Sequence, residues 1–275
     1  MNFQDLTRPT LTEDRDRAAP EPGDRRAWCF DYAVPEGFRQ GRGAFGGLVV
    51  AALARAAEQV EAAPERPLRS VQSALLAPVA AGPSRIELSP LRIGSGVSTY
   101  LALLRQEGEV RAQATLVYGR RRVEDAGWAP QPPDMGRPAA EVEVLSVGPP
   151  FGPEFGQHFE FRPTGPLPFS QGPAESAGWV EARPALERLT APDVLALLDT
   201  WWPAALVRES RPRPMATLAY TAQLLMDPGA VSQGPLYFRA RADVQVEGFS
   251  VELRELWTPQ GQLVGLNQQT FVTIR

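Results

Sequence analysis

The feature that most constrains this chain is a long internal repeat. Gly96-Val97-Ser98 is followed by a turn at Glu107-Gly108-Glu109-Val110, and Gly248-Phe249-Ser250 by a turn at Gln260-Gly261-Gln262-Leu263, at offsets of 152 and 153 residues. Upstream, Pro67-Leu68-Arg69-Ser70 aligns with Pro214-Met215-Ala216-Thr217 at an offset of 147, a difference that a loop insertion explains. Solenoid and propeller units recur every ~20–50 residues, so a period this long marks a duplicated domain rather than an array. With 275 residues the chain is long enough for two medium-sized cores, one per copy. The differences between the copies are where function is to be sought.

Each copy carries one helix and a meander of strands. Trp28 to Tyr32 has the aromatic character of a strand, which Pro35-Glu36-Gly37 ends. Gly46 to about Val60 is apolar around most of its circumference and predicts a helix buried on nearly every side. Strand-like runs follow at about 67–78, 84–94, 97–106 and 109–119. The second copy has strand-like pieces near 156–162 and 177–183. A helix then starts at Thr190-Ala191-Pro192-Asp193, where Thr190 suits the cap and Pro192 and Asp193 the first turn. Strands near 214–225, 235–246, 248–258 and 262–274 complete it. This is an α+β pattern, a sheet wrapped around one buried helix and made twice, not an alternating βαβ one. We divide the chain into an N-terminal arm (1–26, read as loose), a first domain (27–120), a linker rich in Pro, Gly and charge (121–150) and a second domain (151–275).

Composition removes several functions. A net charge of −4 gives no basic field, and no Arg stripe interleaves with aromatics, so nucleic-acid binding is not expected. All 28 basic residues are Arg, which together with the 28 Pro reads as codon bias and loop-rich connections. The one basic cluster, Arg120-Arg121-Arg122, reads as a solvated strand end leading into the linker, with phosphate contact as the alternative. The polar start from Met1 to Arg17 has no apolar signal region and no run approaches the ~18 apolar residues of a membrane span, so the expected compartment is the cytoplasm, with no membrane partner. One Cys, Cys29, and one His, His158, leave no cluster of thiolates and imidazoles for zinc, and no metal or cofactor is expected. His158, on a predicted strand between Gln157 and Phe159, is read as structural. No Ser sits in a Gly-x-Ser-x-Gly elbow.

Gly41-Arg42-Gly43-Ala44-Phe45-Gly46 matches GxGxxG before a helix, but the strand before it carries Pro35 and charges, and no βαβ units follow. Two readings remain for these glycines. They provide a tight turn and close packing, or they leave free N–H groups at Gly46 and Gly47 at the start of a buried helix, a site for a developing oxyanion.

Asp199 is the polar residue hardest to dismiss. Read as part of the second helix, its face carries Leu195, Trp202 and Leu206. A carboxylate on an apolar stripe is costly unless paired or used, and desolvation would raise it toward general-base range. The bland alternative is a buried Asp bonded to backbone or to an Arg. Aligning the copies sets Asp199 about opposite Ala52, Thr217 opposite Ser70 and Gln269 opposite about Leu116. A hydroxyl and an amide beside a carboxylate can hold and orient a water. Gln268 competes with Gln269, but adjacent strand residues point to opposite faces and only one can serve.

The helix start Phe45-Gly46-Gly47-Leu48-Val49-Val50, the Asp199 helix, Met215-Ala216-Thr217-Leu218 and the closing Leu263-Val264-Gly265-Leu266-Asn267-Gln268-Gln269 together resemble the TesB-like acyl-CoA thioesterases. The resemblance spans roughly 25–120 and 185–275. It implies a double hotdog fold, an acyl-CoA substrate, association into homo-oligomers, and water activation by Asp199, Thr217 and Gln269. Two motifs depart from the family: Leu218-Ala219-Tyr220-Thr221 lacks the Asp-His often found there, and Gln269-Thr270-Phe271 replaces Gln-Glu-Gly. Phe45, Leu195, Trp201 and Trp202 are candidates for an acyl pocket, although each also fits plain core packing. A non-catalytic acyl-binding or scaffold protein is the alternative. A hotdog dehydratase or hydratase is weaker, because His158 alone could supply its His.

Overall fold

The computed structural model describes residues 2–14, 28–124, 127–225 and 234–274. Residues 15–26 of the expected arm and residue 27 lie outside the described residues. The first half contains α1 (Phe3–Leu6), β1 (Thr10–Asp14), β2 (Trp28–Val34), the small hairpin β3 (Arg39–Gln40) and β4 (Gly43–Ala44), and α2 (Gly46–Val60). It ends with β5 (Leu68–Leu75), β6 (Gly82–Ile93), β7 (Val97–Gln106) and β8 (Glu109–Gly119). The second half contains β9 (Phe159–Pro163), β10 (Glu175–Ala182), α3 (Ala191–Leu197), α4 (Ala205–Arg208), β11 (Met215–Leu224), β12 (Leu236–Val246), β13 (Phe249–Trp257) and β14 (Leu263–Thr273).

One antiparallel sheet runs β1-β2-β6-β7-β8-β5-β11-β14-β13-β12-β10-β9, which reads the same from both ends once each strand is replaced by its repeat partner. The pseudo-two-fold axis passes between β5 and β11. There Ala74 pairs with Ala219 and Ser70 with Gln223, so Ser70 and Ala219 are equivalent positions. Antiparallel pairing throughout excludes the dinucleotide-binding reading of the glycines, which needs a parallel sheet. At Gly43 a Cβ would lie 2.8 Å from the Val79 amide nitrogen, so that glycine serves a close backbone approach.

The apolar run behind α2 is buried as expected. Every residue from Gly46 to Ala57 is buried, including Arg55, and the helix packs against α3 across the junction of the two halves. The sheet wraps this pair, giving the double hotdog expected from the sequence. A smaller core lies on the sheet's outer face, where Val142 of the linker packs with Trp179, Tyr237, Trp257 and Leu263. Trp179 donates to the Arg137 carbonyl at 3.0 Å, so part of the linker straps the second half.

Three sequence expectations change. The described part of the arm is not loose: Phe3 is buried against Phe38 and Phe159, and Thr10–Asp14 pairs with β2. His158 ends a 3₁₀ turn (Glu154–His158) instead of sitting in a strand. It stacks on Phe38 and bonds the Gly37 carbonyl, in keeping with a structural role. The second helix stops at Leu197, and the chain tightens into 3₁₀ bonds from Asp199 and Thr200 ahead of Pro203, which has no N–H to continue a helix. Asp199 therefore stands in a turn after the helix, and Leu206 lies on α4 rather than on the helix face of Asp199.

Candidate active site

Asp199 meets the beginning of α2. The Gly47 N–H lies close enough to its carboxylate to favour the charged form. Only glycine permits this approach, since a Cβ at Gly46 would sit 2.9 Å from Asp199 Oδ2, and one at Gly47 would sit 2.4 Å from the Phe45 ring and 3.0 Å from Ala196 Cα. The carboxylate thus occupies the positive end of the helix dipole. Gly46, at the first position of α2, has no intrahelical acceptor for its own N–H.

The three residues singled out in the second copy converge. Gln269 Nε2 donates to Asp199 Oδ1 at 2.7 Å, and Thr217 Oγ1 donates to Gln269 Oε1 at 3.1 Å. Gln269 Nε2 also donates to Asn267 Oδ1 at 2.9 Å, and Asn267 Nδ2 donates to the Thr221 carbonyl at 2.8 Å. This chain of donors fixes the orientation of both amides. Gln268 points out and is exposed, so the alternation of the strand selects Gln269. Thr217 owes its place to a β-bulge between it and Ala219. It pairs with Phe271 as Leu68 pairs with Tyr118, so its equivalent in the first copy is Leu68 and not Ser70.

Two charged residues here were missed in the sequence. Arg254 is 1% exposed and Glu252 0%, against 6% for Asp199 and 1% for Gln269. Arg254 Nη1 donates to the Leu198 carbonyl at 3.0 Å and reaches Asp199 Oδ1 at 3.4 Å, while its Nε donates to Glu252 Oε1 at 2.9 Å. Glu252 Oε2 accepts the Ala204 N–H at 2.7 Å. A signal existed: register makes Glu252 and Arg254 the equivalents of Tyr100 and Ala102, so the second copy places two charges on an inward face that is uncharged in the first.

Burial pushes the Asp199 carboxyl above its ordinary value, and Arg254, the Gln269 amide and the Gly47 N–H pull it back. Burial likewise raises Glu252, opposed mainly by Arg254. Tyr220, whose hydroxyl donates to the Leu195 carbonyl at 2.8 Å, is raised by burial and by Asp199, so it stays a neutral donor. The pocket candidates are core residues in this arrangement. Phe45 stacks on Phe155 at 4.2 Å, Trp201 stacks on Phe238 at 5.5 Å with Trp202 on its edge, and Leu195 is fully buried. Among the described residues no group of His, Cys, Asp and Glu could hold a metal.

Family models for the acyl-CoA thioesterase N-terminal domain and the acyl-CoA thioesterase C-terminal domain match residues 34–119 and 123–273. The chain belongs to the acyl-CoA thioesterase family. It is thus an enzyme of thioester hydrolysis, and acyl-CoA is its class of substrate. Solved structures agree on the fold. A conserved protein of unknown function with a hot dog fold from Alicyclobacillus acidocaldarius superposes with a TM-score of 0.85 at 25% identity, covering 99% of this chain and 98% of that one. A putative thioesterase II from Thermobifida fusca gives 0.78 at 22% over 100% and 98%. A tesB protein from Mycobacterium avium subs paratuberculosis gives 0.73 at 17% over 93% and 95%. Among curated proteins nothing matches this chain. No helix among the described residues is long and apolar enough to cross a membrane.

Proposed function

We propose that this thioesterase hydrolyses acyl-CoA to free acid and CoA with water activated by Asp199, Thr217 and Gln269. The observation that carries the reading is the buried 2.7 Å bond from the Gln269 amide to Asp199 Oδ1, which holds one carboxylate oxygen and turns the other toward the start of α2. A carboxylate raised by burial takes a proton from water more readily than an exposed one. The Thr217 hydroxyl, donating to Gln269, keeps lone pairs with which to accept a hydrogen bond from the same water.

The water oxygen attacks the thioester carbon while one of its protons passes to Asp199. The carbonyl oxygen gains the negative charge, and the Gly46 N–H, without an intrahelical acceptor at the positive end of α2, would donate to it. Collapse of the tetrahedral intermediate breaks the C–S bond and releases the CoA thiolate. A thiolate leaves without a strong general acid, and the proton on Asp199 passes to it or to solvent. This suits a chain with one His, one Cys and no Lys.

The test is release of free thiol from a panel of acyl-CoAs of graded chain length. Release above the buffer rate with at least one of them is expected. No release with any would leave the non-catalytic acyl-binding alternative in its place.

A further inference from the structure

We propose that Arg254, locked by Glu252, is the positioning residue of the Asp199 site: it fixes the turn that presents the carboxylate and supplies the charge that keeps it a base. This rests on the reading of Asp199 given above and adds a residue to it.

The argument begins with the cost of the arrangement. A guanidinium and two carboxylates are buried together here, and taking ions out of water costs several kcal/mol each, so an apolar core of the same shape would be at least as stable. In the first copy the equivalent positions, Tyr100 and Ala102, carry no such charges around an equally buried helix. The fold alone therefore does not require the charges. Their geometry is directed at the turn after α3. Arg254 binds the Leu198 carbonyl immediately before Asp199, and Glu252 binds the Ala204 N–H beyond it. Both ends of the segment that carries Asp199 and the two tryptophans are thus tied to one strand, β13. Arg254 Nε donates to Glu252 Oε1 at 2.9 Å, which holds the fork in this orientation.

The charge matters as well as the clamp. Asp199 faces Arg254 and Glu252 from β13, the Gln269 amide from β14, the Gly47 N–H from α2 and the Tyr220 hydroxyl from β11. Arg254 is the one cation among them. A cation within ~4–6 Å lowers a carboxyl by one to three units, whereas a neighbouring carboxylate raises it. Arg254 and Glu252 thus act on Asp199 with opposite signs, so changing either should displace its titration in opposite directions.

The experiment is the pH dependence of kcat/KM for one acyl-CoA in the full chain. Arg254→Met is expected to move the acidic limb up by one unit or more and to lower kcat at pH 7 at least tenfold. Glu252→Gln is expected to move the limb to lower pH. Arg254→Lys keeps the charge and should hold the limb within about half a unit of wild type while losing some kcat. Should Arg254→Met fail to fold, the opposite displacement in Glu252→Gln and the retained limb in Arg254→Lys still decide the matter. Limbs that coincide with wild type in all folded variants, with only melting temperature altered, would overturn the inference. Asp199→Asn, run in parallel, separates the two claims. An undiminished rate there would remove Asp199 itself, while loss in Asp199→Asn with unmoved limbs elsewhere would remove only Arg254.

Discussion

Two carboxylates mark the two places where the halves of this molecule meet, and they are used in opposite ways. At the beginning of α3, Asp193 is saturated. It takes Arg55 on one oxygen, while the other receives Gln4 at 2.6 Å and the Thr190 amide and hydroxyl at 2.8 and 2.7 Å. Arg55 is in turn held by Thr7 at 2.6 Å, so the N-terminal segment closes this junction. At the beginning of α2, Asp199 has one amide and a long contact to Arg254, with the Gly47 N–H nearby and an oxygen left facing Gly46. The same pseudo-symmetric location is thus stapled in one copy and left with an unengaged oxygen in the other. The cavity of about 360 Å³ beside the stapled junction is lined by Leu68 and Tyr118, the register equivalents of Thr217 and Phe271, so no hydroxyl stands where Thr217 does.

The comparison can be broken first at its stapled side. Arg55→Met leaves Asp193 buried beside an apolar chain and should cost about 3–5 kcal/mol of stability. Denaturant unfolding would measure that loss, while thiol release per folded molecule should stay within about threefold of wild type. On the reactive side, Gly46→Ala drives a methyl to 2.9 Å from Asp199 Oδ2 and Leu75 Cδ1. A displacement of this order costs about 10²-fold in kcat, read in the same assay, with a smaller change in melting temperature. Thr217→Ala frees the Gln269 carbonyl but leaves its amide on Asp199. A loss of about tenfold in kcat or less is expected, in line with one hydrogen bond of about 1 kcal/mol.

The smallest effect belongs to Glu58, which lines the 360 Å³ cavity near the far end of α2. Burial pushes it up to about 7 from an ordinary 4.5, with Arg55 and Arg8 pulling it down and Asp193 pushing it up. A carboxyl raised on folding binds its proton more tightly in the folded state, so stability is greatest below about 4.5 and falls as pH rises toward 7. Glu58→Gln should flatten that slope and raise stability at pH 8 by roughly 1 kcal/mol, a discounted figure because the group is partly exposed. A slope unchanged in the variant would remove Glu58 as its source.

Much of this was legible in the residues. Turn glycines and alternating side chains place the long strands within a few residues, and an all-round apolar run predicts the burial of α2. Asp199 stood out because a carboxylate beside Leu195 is expensive, even though the helix ends before it. The Pro67/Pro214 motif pairs Thr217 with Ser70, whereas the ladders of both copies, each with its bulge at the same place, pair it with Leu68, two residues earlier. Glu252 and Arg254 stayed hidden for a physical reason. On β13 they alternate with Val251 and Leu253, and ordinary patterning would turn the aliphatics inward and the charges out. The structure does the reverse, leaving Leu253 37% exposed, because the inward face there serves Asp199 and the turn that carries it.

The most direct test of the central claim, one reactive junction per chain and Asp199 at its heart, is the single-turnover rate of thiol release by Asp199→Asn. A fall of about 10²–10⁴-fold is predicted, the usual contribution of a general base, with melting temperature at pH 8 unchanged or raised because a buried charge has gone. A rate within threefold of wild type in a folded Asp199→Asn protein would contradict the account.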